Sequence, residues 1–476
     1  MASKYDYLAK NTLIFSISTF GTKILAFFLV PFYTNVLSTA EYGTADIVST
    51  ASSLMIFLVT LCIADAVMRF SIESKESRYG VFRFGLEVML LGYVISGVSL
   101  VVFAYFNPIY WEKYLYIFLY LVFISNSLNQ MVSYYLRSIE RVITVAIMGI
   151  LTTIVTIACN LITLLYFKMG VVGFLLSIVA GSTLSMIIGF VDICIHDKEC
   201  FRQSCSIDTK HKMIKYSIPL VFNGLAWWVN GSLDRFFIVY FRGVTVNGVY
   251  AVSAKISTII IVVHQIFGQA WGLSAIKEYD YEDREGFFRD VYSIYNALIV
   301  ITCSTLILFN VPMAKILFAK EFYDAWRYSS FLVISTVFSA LSGFLGSIFI
   351  AVKNSKVLAY SVVLAAIVNI LLNILFIPKF GATGAAIATI ISFVVMWIMR
   401  YKFLTRFMKL KIDVRKDCLV YVLLLFQAII GLKRGWLYAF QGVIYLFIIY
   451  VYRAELIIVW KKMSKMILKK NKMMDL

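Results

Sequence analysis

Apolar stretches long enough to cross a lipid bilayer follow one another along nearly the whole of this 476-residue chain. A helix needs about 20 predominantly apolar residues to cross the hydrocarbon core. Only 15% of the residues are charged, against roughly 25% in a soluble protein, and 61% are hydrophobic. The chain is therefore predicted to be an all-α membrane protein that works within the bilayer.

The hydropathy pattern predicts about fourteen transmembrane helices. The first six lie near 11–36, 43–66, 82–106, 114–136, 142–167 and 171–193, and six more near 216–240, 248–273, 291–318, 328–351, 357–377 and 382–405. A final pair lies near 418–432 and 436–459. We accordingly predict an N-terminal lobe (1–195), a loop (196–214), a C-terminal lobe (215–405), and a helix pair with a basic tail (406–476).

Two glycine-containing signatures occur twice, in the same order, which predicts two homologous halves. The turn at Leu37–Gly43 is followed 205 residues later by a turn that ends at Gly248, so Gly43 and Gly248 are equivalent. A Lys-x-Gly-x-x-Gly sequence at Lys168–Gly173 returns 211 residues later at Lys379–Gly384. We interpret the two glycines of each Lys-x-Gly-x-x-Gly sequence as structural residues of a tight turn.

The net charge of +18 would suggest nucleic-acid binding in a soluble protein. In a membrane protein, the distribution of the basic residues between the two sides of the membrane indicates the orientation of the chain. If both termini are cytoplasmic, the loops, chain termini and helix ends on that side contain 32 lysines and arginines, against 9 on the opposite side. Basic residues collect on the cytoplasmic side of membrane proteins. We therefore predict cytoplasmic termini and no nucleic-acid partner.

Sequence motifs give no indication of an enzyme or of a metal site. Cys200 and Cys205 share a loop with His196 and His211, but their spacing fits no standard zinc pattern. The chain has no P-loop and no acidic motif for a nucleotide sugar. We predict no catalytic residues and no bound cofactor, with energy coming from an ion gradient or from substrate turnover.

Three cations inside predicted spans are the strongest candidates for a functional site: Lys23, Arg235 and Lys255. A charged side chain at mid-membrane costs about 2.5–3.5 kcal/mol on insertion scales. These side chains are therefore expected to face a wet cavity or an anionic partner. Two alternatives stay open: Lys23 can snorkel to the membrane surface, and Arg235 need not pair with Asp234 beside it.

Polar side chains at helical spacing extend this candidate site. The seventh span carries a stripe at i, i+4, i+7 and i+11, formed by Asn223, Trp227, Asn230 and Asp234. The eighth carries Lys255, Gln265 and Gln269, with His264 beside them, and the second carries Asp46, Ser49, Ser53 and Thr60. His264 is also compatible with a hydrogen-bonded interior residue.

The chain resembles the polysaccharide-biosynthesis flippases, the Wzx-type O-antigen and capsule-repeat transporters of the multidrug/oligosaccharidyl-lipid/polysaccharide exporter superfamily. The resemblance rests on Lys10–Thr12 before the first span, the turn Leu37–Gly43 and the segment Ala66–Phe70. It implies two six-helix lobes around a central cavity lined by spans 1, 2, 7 and 8, with a helix pair that serves the lipid tail. It also implies a bacterial cytoplasmic (inner) membrane.

The resemblance implies an undecaprenyl-pyrophosphate-linked oligosaccharide as the substrate, with membrane lipids, a polysaccharide polymerase and chain-length machinery as partners. Lys23, Arg235 and Lys255 would receive the pyrophosphate, and Asn223, Trp227, Asn230, Gln265 and Gln269 would line the same site. Carboxylates near mid-membrane are readily protonated when unpaired. Asp46, Asp234 and His264 are therefore candidates for coupling to H⁺ or Na⁺.

Two other functions stay open. A drug/cation antiporter of the same superfamily would require acidic residues to dominate the cavity, whereas cations inside the spans are prominent here. A membrane glycan polymerase or ligase would normally have a large exterior loop, and the predicted topology contains none.

Overall fold

The computed structural model describes residues 23, 25, 27–73, 78–107, 111–197, 203–433, 436–458 and 460–461. All regular elements within these ranges are helical, which confirms the all-α prediction. Nine of the described helices are long and apolar enough to cross a membrane. Most of the first predicted span, part of the loop at 196–214 and most of the basic tail lie outside the described residues.

The described helices fall into two compact units, Met1–Ala251 and Val252–Leu476. The first unit contains α1 (Val30–Val36), α2 (Thr39–Val59), α3 (Ile63–Glu73), α4 (Arg78–Phe106), α5 (Lys113–Ser138), α6 (Val142–Asn160), α7 (Gly170–His196), α8 (Ile207–Arg242) and the start of α9 (Val244–Lys277). A π-helical turn, Leu161–Tyr166, follows α6. The predicted lobe boundaries remain a prediction, because homology rather than compactness defines them.

The second unit holds the rest of α9 and six further described helices. These are α10 (Phe287–Leu308), α11 (Asn310–Leu317), α12 (Trp326–Ala351), α13 (Ser355–Leu404), α14 (Val414–Gly431) and α15 (Phe440–Val451). Short 3₁₀ turns at Lys320–Ala325 and Trp436–Ala439 precede α12 and α15. The 50-residue α13 is two helices that meet at Gly381, where φ is 60°.

A capping box closes the turn between α1 and α2. In this motif the side chains of Ser38 and Glu41 each form a hydrogen bond with the backbone of the other residue. The Ser38 hydroxyl accepts from the Glu41 backbone N–H at 3.2 Å, and a Glu41 carboxylate oxygen accepts from the Ser38 N–H at 2.8 Å. These bonds satisfy two backbone donors at the helix start. They fix the point at which α2 begins.

The span predicted over 43–66 is two helices rather than one. Between α2 and α3, Leu61 and Cys62 both have a φ of 53°, which costs roughly 1–2 kcal/mol per non-glycine residue. Gly92 of α4 packs directly on this end of α2, where an added Cβ would lie 2.6 Å from the Val59 carbonyl oxygen. The local sequence contains no glycine or proline that would predict the break.

The glycine turns near Gly170 and Gly381 have the same backbone geometry, as their repetition in the sequence predicts. Gly170 has a φ of 54° and Gly381 a φ of 60°, in the left-handed region that favours glycine. Each is followed three residues later by a second glycine in close contact. A Cβ at Gly173 would lie 3.0 Å from the Thr163 side chain, and one at Gly384 would lie 2.5 Å from the Phe376 carbonyl oxygen.

Candidate functional site

The two equivalent turns of the repeated hairpins contact each other through their backbones. A Cβ added to Gly43 would lie 2.9 Å from the Gly248 nitrogen, and one added to Gly248 would lie 3.1 Å from the Gly43 nitrogen. The same added atoms would overlap the carbonyl oxygens of Val244 and Thr39, respectively. Only glycine fits at either position. We call this contact between the starts of α2 and α9 the hairpin contact.

A salt bridge lies one turn along α2 from the hairpin contact. The Arg235 guanidinium of α8 donates from Nη1 to Asp46 Oδ1 at 3.2 Å and to the Thr50 hydroxyl at 2.9 Å. Asn247, fully buried at the start of α9, donates from Nδ2 to Asp46 Oδ2 at 3.3 Å and to the Gly43 carbonyl at 3.2 Å. Asp46 therefore joins three helices of the first unit.

Asp234 precedes Arg235 in the chain, whereas Asp46 contacts Arg235 only through the fold. The two carboxylates have different hydrogen-bond partners. Its Oδ1 accepts from the Arg235 backbone N–H at 2.9 Å, and its Oδ2 accepts from the Tyr250 hydroxyl. Consecutive residues of a helix point about 100° apart. The side chains of Asp234 and Arg235 accordingly bond different neighbours, as the sequence allowed.

The Arg235 guanidinium retains unused donors. Among the described residues its side chain forms hydrogen bonds through Nη1 alone, and 22% of that side chain is exposed, against 13% for Asp46. A guanidinium presents five N–H donors and binds a phosphate or carboxylate with two at once. Asp46 therefore neutralises Arg235 in this conformation through a single contact, a partner that a phosphate group is chemically equipped to replace.

The predicted polar stripe of α8 divides between buried and exposed positions. Asn230 is buried and donates to the Ala226 carbonyl at 2.8 Å, whereas Asn223 is exposed and Trp227 is half-buried. The indole of Trp228, which was not part of the predicted stripe, donates to the Ser53 hydroxyl at 3.0 Å. The bond ties α8 to the polar face of α2, two turns from Asp46.

The other candidates lie on helices of both units. Lys23 is a half-buried helical residue ahead of α1. Lys255, Gln265 and His264 are half-buried on the part of α9 that belongs to the second unit, and the side chain of Gln269 lies outside the described part of the chain. Convergence of the three cations on one cavity stays a prediction.

His264 forms a short hydrogen bond within its own unit. Its Nδ1 lies 2.5 Å from the hydroxyl of Tyr295 on α10, and a Cβ at Gly343 would lie 2.8 Å from the imidazole ring. This arrangement fits the hydrogen-bonded interior residue that the sequence left open. It leaves the coupling role of His264 untested.

Asp46, Asp234 and Arg235 form hydrogen bonds with three residues that the sequence did not identify, and we call these six residues the Asp46 cluster. The three are Thr50, Asn247 and Tyr250. Thr50 lies one turn after Asp46, so helical spacing could have identified it. Asn247 and Tyr250 flank Gly248 and were read only as turn residues. Within the described ranges, no three His, Cys, Asp or Glu side chains form a group that could hold a metal ion.

A sequence profile of a known family matches residues 8–271, more than half of the chain, and its description is "Polysaccharide biosynthesis protein". The chain belongs to this family. The match covers α2, α8 and most of α9, and so includes every residue of the Asp46 cluster.

Curated relatives from archaea are similar to this chain at low identity. The uncharacterized membrane protein MJ1375 of Methanocaldococcus jannaschii is 22% identical over 82% of this chain and 96% of its own length. A second protein of that organism, MJ1068, is 25% identical, but the match covers 42% of this chain and 40% of the relative. The "Probable low-salt glycan biosynthesis flippase Agl15" of Haloferax volcanii is 25% identical over 27% of this chain and 28% of its own.

Solved membrane transporters share the fold. The structure titled "Lipid II flippase MurJ, inward closed conformation" matches with a TM-score of 0.70 over 95% of this chain and all of its own, at 14% identity. An inward-facing multidrug-resistance transporter of the MATE family and MOP superfamily matches with a TM-score of 0.60 over 81% of this chain and 98% of its own, at 12% identity. The chain is a multi-pass membrane protein with the MATE-like fold of that superfamily.

Proposed function

We propose that the protein is a flippase that moves undecaprenyl-pyrophosphate-linked oligosaccharide units across the cytoplasmic membrane of a bacterium for surface polysaccharide synthesis. Such units build O-antigen, capsule or exopolysaccharide. The observation that carries the proposal is the partly exposed Asp46–Arg235 salt bridge inside a chain of the polysaccharide-biosynthesis family. The flippase name of a relative and the fold shared with solved transporters support a transporter rather than an enzyme.

Arg235 is the residue proposed to bind the pyrophosphate. A hydrogen bond to a charged group contributes about 1.5–3 kcal/mol, and a bidentate phosphate contact exceeds the single contact that Asp46 makes. The incoming pyrophosphate takes the place of Asp46 on the guanidinium. Asp46 remains held by Asn247 and is positioned to recover Arg235 when the phosphate leaves.

In the proposed alternating-access cycle, the hairpin contact closes one end of the substrate pathway. The turns at Gly43 and Gly248 lie on the side that the charge distribution predicts to be exterior. Opening this end requires the α2 and α9 starts to separate, which breaks the Asn247 bonds to both Gly43 and Asp46. Asp46 then competes freely for Arg235, and this competition releases the product outward.

The remaining candidates extend the proposed site toward the glycan. Lys23 and Lys255 supply further positive charge for the pyrophosphate, whereas the amide and indole side chains of Asn223, Trp227, Asn230, Gln265 and Gln269 suit sugar hydroxyls. A polar glycan cannot cross hydrocarbon, but the lipid tail can remain in it. The final helix pair is proposed to accommodate that tail, and a polymerase with chain-length machinery receives the product.

Ion coupling is proposed to act through the same carboxylates. Protonation or Na⁺ binding at Asp46 or Asp234 would remove a competitor for Arg235, and His264 is the third candidate. Asp234→Asn is expected to slow release more than binding. Wild-type turnover by both Asp46→Asn and Asp234→Asn, with no response to a proton or sodium gradient, would remove the coupling proposal.

The function is tested in vesicles that contain undecaprenyl-pyrophosphate linked to an NBD-labelled disaccharide, with external dithionite to quench exposed label. Wild-type protein is expected to raise the quenched fraction above that of protein-free vesicles. The double variant Arg235→Ala/Lys255→Ala is expected to insert normally and to flip at least tenfold more slowly, since about 1.4 kcal/mol corresponds to a factor of ten. Arg235→Lys should rescue partly.

A control for position and a competing substrate sharpen this test. Gly231→Ala lies one turn from Arg235 on α8 and adds a methyl group into open space, so it should flip at the wild-type rate. Full flipping by the double alanine variant would exclude the phosphate site. Transport of a cationic dye, but not of the labelled lipid, would favour the antiporter alternative.

Orientation is tested by cysteine labelling in intact cells. With both termini cytoplasmic, a cysteine at Lys470 should be protected from a membrane-impermeant maleimide and become labelled after lysis. A cysteine at Lys433, in the opposite loop, serves as the accessible control. Labelling of the Lys470 position in intact cells would contradict the topology.

A further inference from the structure

A second buried polar cluster lies in the second unit, away from every residue used above. It surrounds a cavity of about 270 Å³ between α10, the loop before α14, the start of α14 and the chain that follows α15. Asp417 and Glu455 both line this cavity, and only 4% and 8% of their surfaces are exposed. Carboxylates are almost never so fully buried unless they are paired.

Each carboxylate uses one oxygen for hydrogen bonds within the cluster. Glu455 Oε1 accepts from Lys416 Nζ at 2.5 Å and from the Ser293 hydroxyl at 2.7 Å. Asp417 Oδ1 accepts from Asn296 Nδ2 at 2.8 Å and from the Tyr452 hydroxyl at 3.4 Å. These contacts join α10, α14 and the end of α15.

The second oxygen of each carboxylate, Asp417 Oδ2 and Glu455 Oε2, is buried and has no hydrogen-bond partner among the described residues. A buried acceptor without a partner is costly, and a buried charge without a counter-charge is more so. Two such oxygens, on side chains that line one polar cavity, are acceptors that a bound ligand would satisfy.

The charge of the cluster defines the ligand. Its buried core contains two anions, Asp417 and Glu455, and one cation, Lys416, which pairs with Glu455. The other charged side chains of the cavity balance, with Arg289 and Lys411 against Asp290 and Asp413. The excess is one negative charge, which a monovalent cation neutralises and a divalent cation would overcompensate.

We propose that Asp417 and Glu455 bind one alkali cation between their carboxylates, at the edge of this cavity. A single proton would satisfy only one of the two unpaired oxygens, whereas one cation bound between the two side chains would satisfy both. The adjoining cavity has several times the roughly 30 Å³ that a water occupies in the liquid, so it has room for waters that complete the shell of the ion. The bound ion fastens α14 and the chain after α15 to α10.

The site is tested by equilibrium binding of ²²Na⁺ and of ⁸⁶Rb⁺, as a stand-in for K⁺, to the purified full-length protein. Saturable binding of one or both ions is expected, and Asp417→Asn/Glu455→Gln should weaken it at least tenfold. Asp324→Asn removes an exposed carboxylate of the same unit that does not line this cavity, and it should leave binding unchanged. Comparison of the two ions identifies the physiological one.

Thermal unfolding supplies a second readout. Na⁺ or K⁺ at constant ionic strength should raise the Tm of the wild type by a few degrees over N-methylglucamine, because a ligand of the folded state stabilises it. The double variant should lose this shift. Glu455→Gln alone replaces the double variant if the latter does not fold.

Three results would overturn the proposal: no saturable alkali-ion binding by the wild type, equal binding by the double variant, or a Tm that responds to pH but not to alkali ions. None of these measurements uses the transported lipid. The cation site can therefore fail or succeed independently of the proposed flippase activity.

Discussion

The two repeated hairpins share a backbone arrangement but differ in the side chains that they bring to it. Gly43 and Gly248 play the same part, since each admits the backbone of the other hairpin where any Cβ would collide. With these glycines aligned, Asp46 of the first hairpin corresponds to Ala251 of the second, and Thr50 corresponds to Lys255. The acid and the cation occur on different hairpins.

Under the proposed function, this difference separates a part of the repeat that serves structure from a part that serves binding. A symmetric contact requires the same small residue on both sides, so glycine is retained in each half. A binding site for an asymmetric ligand requires different groups on its two sides. Asp46 and Lys255 thus give the two hairpins opposite charge around one preserved backbone contact.

The largest expected effect comes from breaking the shared backbone contact. Gly43→Ala or Gly248→Ala places a methyl group against a carbonyl oxygen that cannot move aside, which should disfavour the closed hairpin contact by about 3 kcal/mol. In a cysteine-free background, Thr39→Cys reports on this opening, because Thr39 is 2% exposed. Either alanine variant should increase its maleimide labelling rate at least tenfold.

The matched control for this experiment is Gly231→Ala, whose added methyl group meets no atom within 4 Å. It should label at the same rate as the parent protein. Unchanged labelling in Gly43→Ala and Gly248→Ala would show that the two hairpins do not close against each other.

The next effect tests the charge difference between the hairpins. Asp46→Arg or Arg235→Asp places like charges at a partly exposed contact of 3.2 Å and should lower the free energy of unfolding by about 2–3 kcal/mol. The double exchange Asp46→Arg/Arg235→Asp should regain most of that stability. It should not regain flipping, because the cation would then lie on α2 instead of α8.

Stability is measured by thermal unfolding in detergent, and flipping by the dithionite assay. If the double exchange loses as much stability as the two single exchanges added together, the two residues do not interact. Wild-type flipping by the double exchange would mean that the helix carrying the cation is unimportant.

A smaller effect is expected at the second repeated signature. Gly381 has a φ of 60° and a ψ of −144°, a region that is essentially restricted to glycine, so Gly381→Ala should cost about 1–3 kcal/mol of stability. Gly442→Ala in α15, where an added Cβ meets no atom within 4 Å, is the control. A Tm for Gly381→Ala equal to that of the control would contradict the assignment of a structural role.

The sequence predicts well whatever depends on neighbours along the chain. Hydropathy predicts the helices, because each span must bury about 20 apolar residues in lipid. The two glycine signatures predict equivalent turns, and positive φ at Gly170 and Gly381 confirms that interpretation. The break after α2 was missed, since Leu61 and Cys62 adopt a positive φ that neither residue type predicts.

Contacts between distant residues could not be predicted in the same way. Asp46 and Arg235 were each recognised as candidates, but 189 positions separate them, and their pairing depends on how α2 and α8 are rotated. Asn247 looked like an ordinary turn residue until its bonds to Asp46 and Gly43 were seen. Asp417 and Glu455 gave no signal, because their cluster forms only when three helices pack.

The exchange of Asp46 for a phosphate on Arg235 is the central claim, and affinity for undecaprenyl-pyrophosphate-linked disaccharide tests it most directly. Wild type, Asp46→Asn and Arg235→Ala are compared in detergent by equilibrium binding. Loss of the competing carboxylate should tighten binding about tenfold in Asp46→Asn, and loss of the guanidinium should weaken it at least tenfold in Arg235→Ala. Equal affinities for all three proteins, or weakening by both substitutions, would contradict the exchange.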